Sequence, residues 1–178
     1  MSSARDELAV QLKQHAYLEG DFLLRSGKRS KYYLDKYRFE TRPELLEAIG
    51  KRIAALVAAE DPAAELLGGP ELGAVALAAA ASISSRLPFL IVRKAAKEYG
   101  TNKRLEGVYE PGQRVCLVED VVTSGGAAIA AIDVLREVGL VIETAICVVD
   151  REEGGAEALA AKGVRLLPLF RASDLLSV

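Results

Sequence analysis

Short apolar runs alternate with helical patterns from residue 43 onward, and this alternation limits the folds open to the chain. The apolar runs are ELLGG (65–69), FLIVR (89–93), RVCLVED (114–120), TAICVVD (144–150) and VRLLPLF (164–170). A helical pattern covers residues 43–60 before the first run, and the patterns between most of the runs cover residues 72–86, 126–138 and 154–162. Runs that are apolar on both faces and are followed by helices are typical of a parallel sheet covered on both sides. The sequence therefore predicts an α/β fold with a doubly wound, mostly parallel sheet flanked by helices.

The N-terminal segment has a different pattern. Residues 6–18 place apolar side chains at helical spacing, and residues 22–37 divide into two short strands around the turn at Ser26–Gly27. We therefore expect a small αββ hood in residues 1–40. Because 178 residues fit one domain of ordinary size, the whole chain is expected to be a single domain, with residues 41–170 as its α/β core.

Composition and charge exclude several classes of protein. Hydrophobic residues make up 51% of the chain and charged residues 27%, which is enough apolar material for a packed core and argues against disorder. The net charge of -2 and the pI near 5.6 give no reason to expect a nucleic-acid partner.

Neither a targeting segment nor a membrane span is expected. The N-terminal MSSARDELAVQLKQ lacks an apolar signal core, and the longest stretch of small apolar residues, 72–83, is shorter than the roughly 18 residues that a span needs. Cys116 and Cys147 lie inside apolar runs without CxxC spacing, which indicates buried free thiols. The expectation is a cytoplasmic protein without a membrane partner.

The stretch VCLVEDVVTSGG, residues 115–126, carries the strongest chemical signal. An apolar strand ends in Glu119 and Asp120, and residues 123–126 then open a helix. Ligands of parallel α/β sheets bind beyond the carboxyl ends of the strands, and small residues at a helix start suit a phosphate. Carboxylates repel phosphate, so the two acids would face sugar hydroxyls or a cation. A phosphorylated sugar fits both features, although an acid pair before a glycine-softened turn without a ligand stays open.

Two other stretches carry cations. Residues 94–107, KAAKEYGTNKRLEG, form a long basic segment without a clean apolar period, and such a loop is usually functional or mobile. On the residues alone, a solvated surface loop is the favoured interpretation of its lysines and arginines. Arg151 follows the strand end at Asp150 and could grip a carboxylate, or it could pair with Glu152 or Glu153.

The stretch VCLVEDVVTSGGAA (115–128) resembles the phosphoribosyl pyrophosphate (PRPP) signature of type I phosphoribosyltransferases. Four further segments resemble the orotate phosphoribosyltransferase branch of that family. They are FLLRSGKRSKYYLDKY (22–37), GGPELGAVALA (68–78), VRKAAKEYGTNKRLEG (92–107) and VVDREEGG (148–155). The resemblance runs from about residue 6 to the last strand, and it implies the type I phosphoribosyltransferase fold.

The resemblance implies a PRPP site. Residues 123–127 would wrap the 5'-phosphate, Glu119 and Asp120 would hold the ribose hydroxyls, and residues 94–107 would form a mobile catalytic lid. Lys97 would be the catalytic cation of this lid, beside the catalytic acids Glu119 and Asp120. The implied PRPP-binding residues are Arg25, Glu71, Arg93, Lys94, Lys97, Tyr99, Glu119, Asp120, Val121, Val122, Thr123, Ser124, Gly125, Gly126 and Ala127.

The resemblance also implies an orotate site with Arg151 on the orotate carboxylate. The implied orotate-binding residues are Tyr32, Tyr33, Thr123 and Arg151, although two tyrosines on a strand are ordinarily packing residues. The chain departs from the family at three positions: Arg25 replaces the usual lysine, Tyr99 replaces a histidine of many relatives, and Leu72 replaces a lysine of some relatives. His15, in the first helix, is expected to be structural.

The implied reaction joins orotate to PRPP and gives orotidine 5'-monophosphate and pyrophosphate, in pyrimidine synthesis. Mg2+ would be held mainly by PRPP and water, with no direct protein ligand, and a homodimer would share lid residues across its interface. Two alternatives use the same fold: a PRPP-sensing regulatory protein and a purine phosphoribosyltransferase. Arg151 and the tyrosine pair, Tyr32 and Tyr33, favour orotate over a purine.

Overall fold

A six-stranded sheet forms the centre of the computed structural model, which describes residues 4–23, 27, 29–95 and 104–178. Its strands are β3 (Leu66–Pro70), β4 (Phe89–Val92), β5 (Leu105–Glu106), β6 (Arg114–Val122), β7 (Val141–Asp150) and β8 (Arg165–Arg171). The strand order is β5-β4-β3-β6-β7-β8, and β5 alone among these strands is antiparallel to its neighbour.

Helices cover both faces of this sheet. They are α1 (Ala4–Ala16), α2 (Tyr37–Glu40), α3 (Pro43–Glu60), α4 (Gly73–Ser85), α5 (Gly126–Glu137), α6 (Gly155–Ala160) and α7 (Ala172–Ser177). One hydrophobic core contains side chains of α1, α3 and α4, and a second core on the opposite face contains side chains of α5 and α6. Among the residues described, no helix is both long and apolar enough to cross a membrane.

Strand β6 shows why helices must cover both faces of the sheet. Successive side chains of a strand point to opposite faces. Cys116 and Val118 lie in the first core and Val115 and Leu117 in the second, and all four are fully buried. The predicted doubly wound α/β fold is confirmed, and both cysteines are buried free thiols as expected.

The N-terminal hood forms, but its hairpin begins earlier than the sequence predicts. Helix α1 ends at Ala16, and strand β1 (Tyr17–Leu23) starts at once and pairs antiparallel with β2 (Arg29–Leu34). Tyr17 pairs with Leu34 in the ladder, and its ring stacks on that of Tyr32 at 5.3 Å. Aromatic residues suit strands better than helices, and this cross-strand ring pair extends the strand toward the helix.

Three elements were not predicted from the sequence: α2, β5 and α7. Strand β5 pairs with β4 through Ile91–Glu106 and Val92–Leu105, so the segment predicted as a lid returns to the sheet at its end. Helix α7 follows β8 and places Leu175 in the first core. All three elements are short, and segments of two to six residues have too little periodicity to be detected from sequence.

The strand order reverses between β3 and β6. The chain adds β4 and β5 on one side of β3, and it adds β7 and β8 on the other side of β6. The connections that follow β3 and β6 therefore leave the sheet in opposite directions and open a crevice beyond the carboxyl ends of these strands. Such a switch point is where open α/β sheets bind their ligands.

Candidate active site

The two loops at the switch point approach each other closely. Gly73 begins α4 after β3, and Asp120 lies near the end of β6. A Cβ atom on Gly73 would stand 1.9 Å from Oδ2 of Asp120 and 2.9 Å from Oε1 of Glu40. Because Gly73 has no side chain, the Asp120 carboxylate can occupy the space where a Cβ would lie.

Three carboxyl groups, which we call the acid cluster, meet at this point: Glu40, Glu119 and Asp120. Each residue is at least nine-tenths buried. Oδ1 of Asp120 accepts a hydrogen bond from the backbone N–H of Val121 at 2.5 Å, and Oδ2 accepts one from Nζ of Lys36 at 2.5 Å. One oxygen of Glu40 and one of Glu119 have no hydrogen-bond partner among the described residues.

Crowding and burial change the protonation of the acid cluster. Burial, and then the charge of Asp120, raise the pKa of Glu119 to about 8. The same two causes raise the pKa of Glu40 to about 7. A carboxyl that holds a proton near neutral pH can donate as well as accept a hydrogen bond, which suits contacts with hydroxyl groups.

The turn after β6 is open to solvent. Residues 123, 124, 126 and 127 are exposed, and a Cβ on Gly126 would meet no atom within 4 Å. Gly125 adopts a left-handed conformation with φ 81° and precedes α5. The first N–H groups of a helix have no partner within the helix, so the turn presents donors to an anion in an accessible space.

The loop after β3 is joined to the start of the predicted lid. Oε1 of Glu71 accepts a hydrogen bond from the backbone N–H of Lys94 at 2.6 Å. Arg93 follows β4 directly, and its guanidinium lies 3.5 Å from the carboxylate of Glu106 on β5. The structure therefore brings two cations to the same edge of the sheet as the acid cluster.

Arg151 lies beside the turn because β6 and β7 stay paired to their ends. Val122 pairs with Asp150, and the backbone N–H of Arg151 donates to the carbonyl of Val122 at 2.8 Å. The guanidinium carbon lies 4.8 Å from the centre of the Tyr32 ring, and a terminal nitrogen lies 3.1 Å from the carboxylate of Glu153. The pairing with Glu153 that the sequence left open is thus present in the structure.

The structure separates Tyr32 from Tyr33. Neighbouring residues of a strand face opposite sides, so Tyr32 packs toward Arg151 while the Tyr33 ring lies 5.6 Å from Phe22. His15 lies in a surface cavity with Gln14, Arg38, Thr41 and Arg42, none of which was a predicted site residue. The predicted site residues Arg25, Lys97 and Tyr99 fall outside the described residues.

Sequence reasoning missed three residues at this site: Lys36, Glu40 and Gly73. Lys36 and Asp120 are 84 positions apart, and no local pattern links them. Gly73 lies in the segment 68–78 that resembles the family, but its closeness to Asp120 depends on the order of β3 and β6. No local signal marked Glu40, because α2 (YRFE) has four residues and carries Arg38 beside its aromatic residues, too short a segment for an apolar period.

Raising the pH is expected to destabilise the protein through Glu40. Its pKa of about 7 in the folded protein lies above the ordinary 4.5, so the folded state holds this proton more tightly than the unfolded chain. The stabilisation that comes from this bound proton is fully present below about pH 4.5, and it is lost as the pH rises through about 7. Glu40→Gln should therefore raise the Tm at pH 8 by about 2–6 °C and change it little at pH 5.

Thermal unfolding of both proteins at pH 5 and pH 8 checks this expectation. The control is Glu44→Gln, because a backbone hydrogen bond lowers the pKa of this exposed carboxyl, and its removal should not raise the Tm at pH 8. An equal Tm for Glu40→Gln and the unsubstituted protein at pH 8 would contradict the proton assigned to Glu40.

Comparison with known proteins identifies relatives of this chain. No protein-family model matches it. An orotate phosphoribosyltransferase of Methanocella arvoryzae is 51% identical over 171 residues, which are 96% of each chain. The crystal structure of orotate phosphoribosyltransferase from Aeropyrum pernix is 35% identical, with a TM-score of 0.84 over 96% of both chains.

A third relative was solved with a ligand. The Mycobacterium tuberculosis orotate phosphoribosyltransferase in complex with PRPP is 32% identical, with a TM-score of 0.81 over 96% of this chain and 98% of that one. Identity of this extent over nearly the whole length, together with the switch-point site, establishes the relationship. The chain belongs to the orotate phosphoribosyltransferase family.

Proposed function

We propose that this protein transfers the phosphoribosyl group of PRPP to orotate, giving orotidine 5'-monophosphate and pyrophosphate in pyrimidine nucleotide synthesis. The observation that carries the proposal is the switch point, where the acid cluster, the open turn at 123–127 and Arg151 lie at one edge of the sheet. The named relatives favour this reaction over a PRPP-sensing regulator and over transfer to a purine.

The ribose and its 5'-phosphate are held at the end of β6. The turn after Val121 and Val122 takes the phosphate through backbone N–H groups, the hydroxyls of Thr123 and Ser124 and the space at Gly126. Glu119 and Asp120 take the ribose hydroxyls. Fixing both ends of the sugar aligns C1 with the incoming base, and such alignment accounts for much of the rate of a displacement reaction.

The leaving pyrophosphate faces the loop after β3 and the start of the lid. Charge moves onto pyrophosphate as the C1–O bond breaks and the ribose becomes cationic, so Arg93, Lys94 and Lys97 stabilise the departing group. Glu71 contributes by holding the backbone of Lys94 in place. A lid that closes over these atoms also excludes water from the cationic ribose.

Mg2+ enters this proposal as part of the PRPP complex. Mg2+ prefers phosphate oxygens and retains several waters, and within the described ranges no group of three or more acidic, histidine or cysteine side chains could hold a metal ion. The bound ion would neutralise charge on pyrophosphate. We therefore place the ion on the substrate phosphates in this proposal.

Orotate lies against Arg151, Tyr32 and Thr123 in the proposed complex. The guanidinium is nearly buried, with 9% of its side chain exposed, while its partner Glu153 is 44% exposed. Glu153 can therefore turn into solvent and release Arg151 to the orotate carboxylate. Tyr33 belongs to the proposed site only through the family resemblance, because its ring packs on Phe22.

A cytoplasmic homodimer is part of the proposal. The buried free thiols Cys116 and Cys147 suit a reducing compartment. In the homodimer, lid residues of one subunit would reach the site of the other. The family resemblance supports this sharing.

The direct test is the near-ultraviolet absorbance of orotate mixed with the purified protein, PRPP and Mg2+. Parallel reactions offer uracil, adenine or hypoxanthine in place of orotate. We expect orotate to be consumed only when PRPP and Mg2+ are both present, and the other bases to be unchanged. Consumption of a purine in place of orotate, or PRPP binding without turnover of any base, would refute the proposed reaction.

Substitution of Lys97 should slow the reaction without unfolding the protein. One charge-assisted hydrogen bond to the departing pyrophosphate is worth roughly 1.5–3 kcal/mol, so Lys97→Ala should lower kcat by about 10- to 150-fold. Lys162→Ala is the control, because Lys162 pairs with Asp133 at the surface and should not affect turnover.

Mixed dimers test whether the lid is shared. If Lys97 acts in the partner's site, mixing Lys97→Ala with an Arg151 variant should recover activity, because one of the two sites in each mixed dimer is then intact. Near-normal turnover of Lys97→Ala would remove Lys97 from the catalytic residues.

A further inference from the structure

Lys36 links the hood to the acid cluster. It lies in the turn between β2 and α2, and its Nζ donates to Oδ2 of Asp120 at 2.5 Å. The Lys36 side chain is 32% exposed and that of Asp120 is 7% exposed. The pair is therefore largely removed from water, where a charge-assisted hydrogen bond is stronger than on a surface.

The contact with Lys36 completes the fixation of Asp120. Its Oδ1 accepts from the backbone N–H of Val121, and its Oδ2 accepts from Lys36 and occupies the space where a Cβ of residue 73 would lie. Both oxygens therefore have a donor, and the carboxylate has one orientation in the structure. Without Lys36, Asp120 would lose its one cationic donor among the described residues and would keep the Val121 N–H and the hydrogen bond with the protonated Glu40 carboxyl.

Lys36 is also the cation in direct contact with the acid cluster. Of the described salt bridges, the pair between Lys36 and Asp120 is the one that reaches any of the three carboxyls. Burial lowers the pKa of Lys36, but the hydrogen bond and the charge of Asp120 outweigh this effect and raise it. The ammonium therefore stays charged while it faces Glu40, Glu119 and Asp120.

We propose that Lys36 is a positioning residue for PRPP, whose ammonium holds the Asp120 carboxylate in the orientation that the ribose hydroxyls require. This inference rests on the proposed function, since it assigns Asp120 to the ribose. Lys36 acts through Asp120 and need not contact the substrate. It also makes the hood a supporting element of the sugar site, because the turn that carries Lys36 belongs to residues 1–40.

Calorimetric titration with PRPP and Mg2+ tests the proposal without depending on turnover. Lys36→Met keeps the length of the side chain but removes its charge, and we expect it to weaken PRPP binding by about 10- to 100-fold. Lys36→Arg should recover most of that loss. The matched control is Lys51→Met, because Lys51 also lies 2.5 Å from a carboxylate, that of Glu47, in a pair exposed at the surface of α3.

The pH dependence of binding separates positioning from a purely structural role. Lys36 lowers the pKa of Glu119, so in Lys36→Met this carboxyl should keep its proton up to a higher pH. Because the protonated carboxyl can donate to a ribose hydroxyl, the fall in PRPP affinity with rising pH should begin at a higher pH than in the unsubstituted protein. The ionisation of the PRPP phosphates changes with pH in the same way for every protein compared, so it does not contribute to the difference between them. Among the described residues, the charged and titratable groups that act on the acid cluster are Asp35, Lys36, Lys94 and Cys147, and Tyr37 acts on Lys36.

The outcomes are distinct. If the unsubstituted protein binds PRPP and Lys36→Met binds it equally well, Lys36 has no positioning role. Weaker binding of Lys36→Met with an unchanged pH profile, and without recovery in Lys36→Arg, would also overturn the inference, because a packing defect explains it. Lys36→Gln replaces Lys36→Met if that variant does not fold. Failure of the unsubstituted protein to bind PRPP would refute the proposed function itself.

Discussion

Replacing Arg151 with leucine is expected to lower kcat/KM for orotate by about 10²- to 10⁴-fold. A guanidinium can form two parallel charge-assisted hydrogen bonds with a carboxylate, each worth roughly 1.5–3 kcal/mol. Arg151 is built for such a contact, since its side chain is 9% exposed and its guanidinium lies over the ring of Tyr32 at 4.8 Å. The affinity for PRPP should change by less than about threefold, because PRPP does not use this arginine.

The Arg151 variants also test selectivity. Arg151→Leu should leave the slow or absent reaction with uracil unchanged, since uracil lacks the carboxylate that Arg151 would bind. Arg151→Lys keeps the charge but cannot form the bidentate contact, so its activity should lie between the other two proteins. Steady-state kinetics with orotate and uracil measures both effects.

A surface arginine supplies the matched control. Arg165 begins β8, at the opposite end of the sheet, and pairs with Glu60 at 2.9 Å with 54% of its side chain exposed. Arg165→Leu should retain normal kinetics. If Arg151→Leu consumed orotate at the normal rate, Arg151 would not be the orotate carboxylate ligand, and its contact with Glu153 would be its role.

Replacing Gly73 with alanine should abolish most PRPP binding. The new methyl group would stand 1.9 Å from Oδ2 of Asp120 and 2.9 Å from Oε1 of Glu40. The Asp120 carboxylate must move to make room for the methyl group. We expect this movement to break the contact between Lys36 and Asp120. We expect PRPP affinity to fall by about 100-fold or more and the free energy of unfolding to fall by about 1–3 kcal/mol.

Gly50→Ala separates the two effects of Gly73→Ala. A Cβ on Gly50 would lie 2.7 Å from the backbone and side chain of Ala80, where α3 packs on α4. This variant should lose stability to a similar extent but bind PRPP normally at temperatures where it is folded. Calorimetric binding and thermal unfolding of both variants give the comparison. Normal PRPP affinity in Gly73→Ala would mean that Asp120 is not needed in its present position.

The sequence predicts those features of the fold that are local. The strand that became β6 was evident because Val115, Cys116, Leu117 and Val118 leave no polar face, and its end was evident because two acids and a small-residue turn follow. The pattern of alternating strands and helices then indicated the doubly wound sheet. The fold class and the family are both confirmed.

Features that depend on long-range contacts could not be predicted in this way. The early start of β1 depends on the ring of Tyr32, which is distant in sequence, and β5 exists because it pairs with β4. The contact of Lys36 with Asp120 requires the hood to fold over the switch point. Residue patterns report which face of an element is buried, but they do not report which distant side chain covers it.

The roles of individual site residues still stand as predictions. The structure brings Arg93, Lys94 and Glu71 to one edge of the sheet, and Arg151 to the turn after β6. The family resemblance supplied the assignment of Arg151 to orotate, because a guanidinium at a strand end by itself fits either an ion pair with Glu153 or a ligand carboxylate.

Phosphorus NMR of PRPP during the reaction is the most direct measurement of the central claim. With orotate, Mg2+ and the purified protein, the pyrophosphate signals of PRPP should give way to free pyrophosphate, with one orotidine 5'-monophosphate formed for each pyrophosphate released. Without orotate, PRPP should persist. Release of pyrophosphate without orotate would identify a hydrolytic activity, and unchanged PRPP in the complete mixture would contradict transfer altogether.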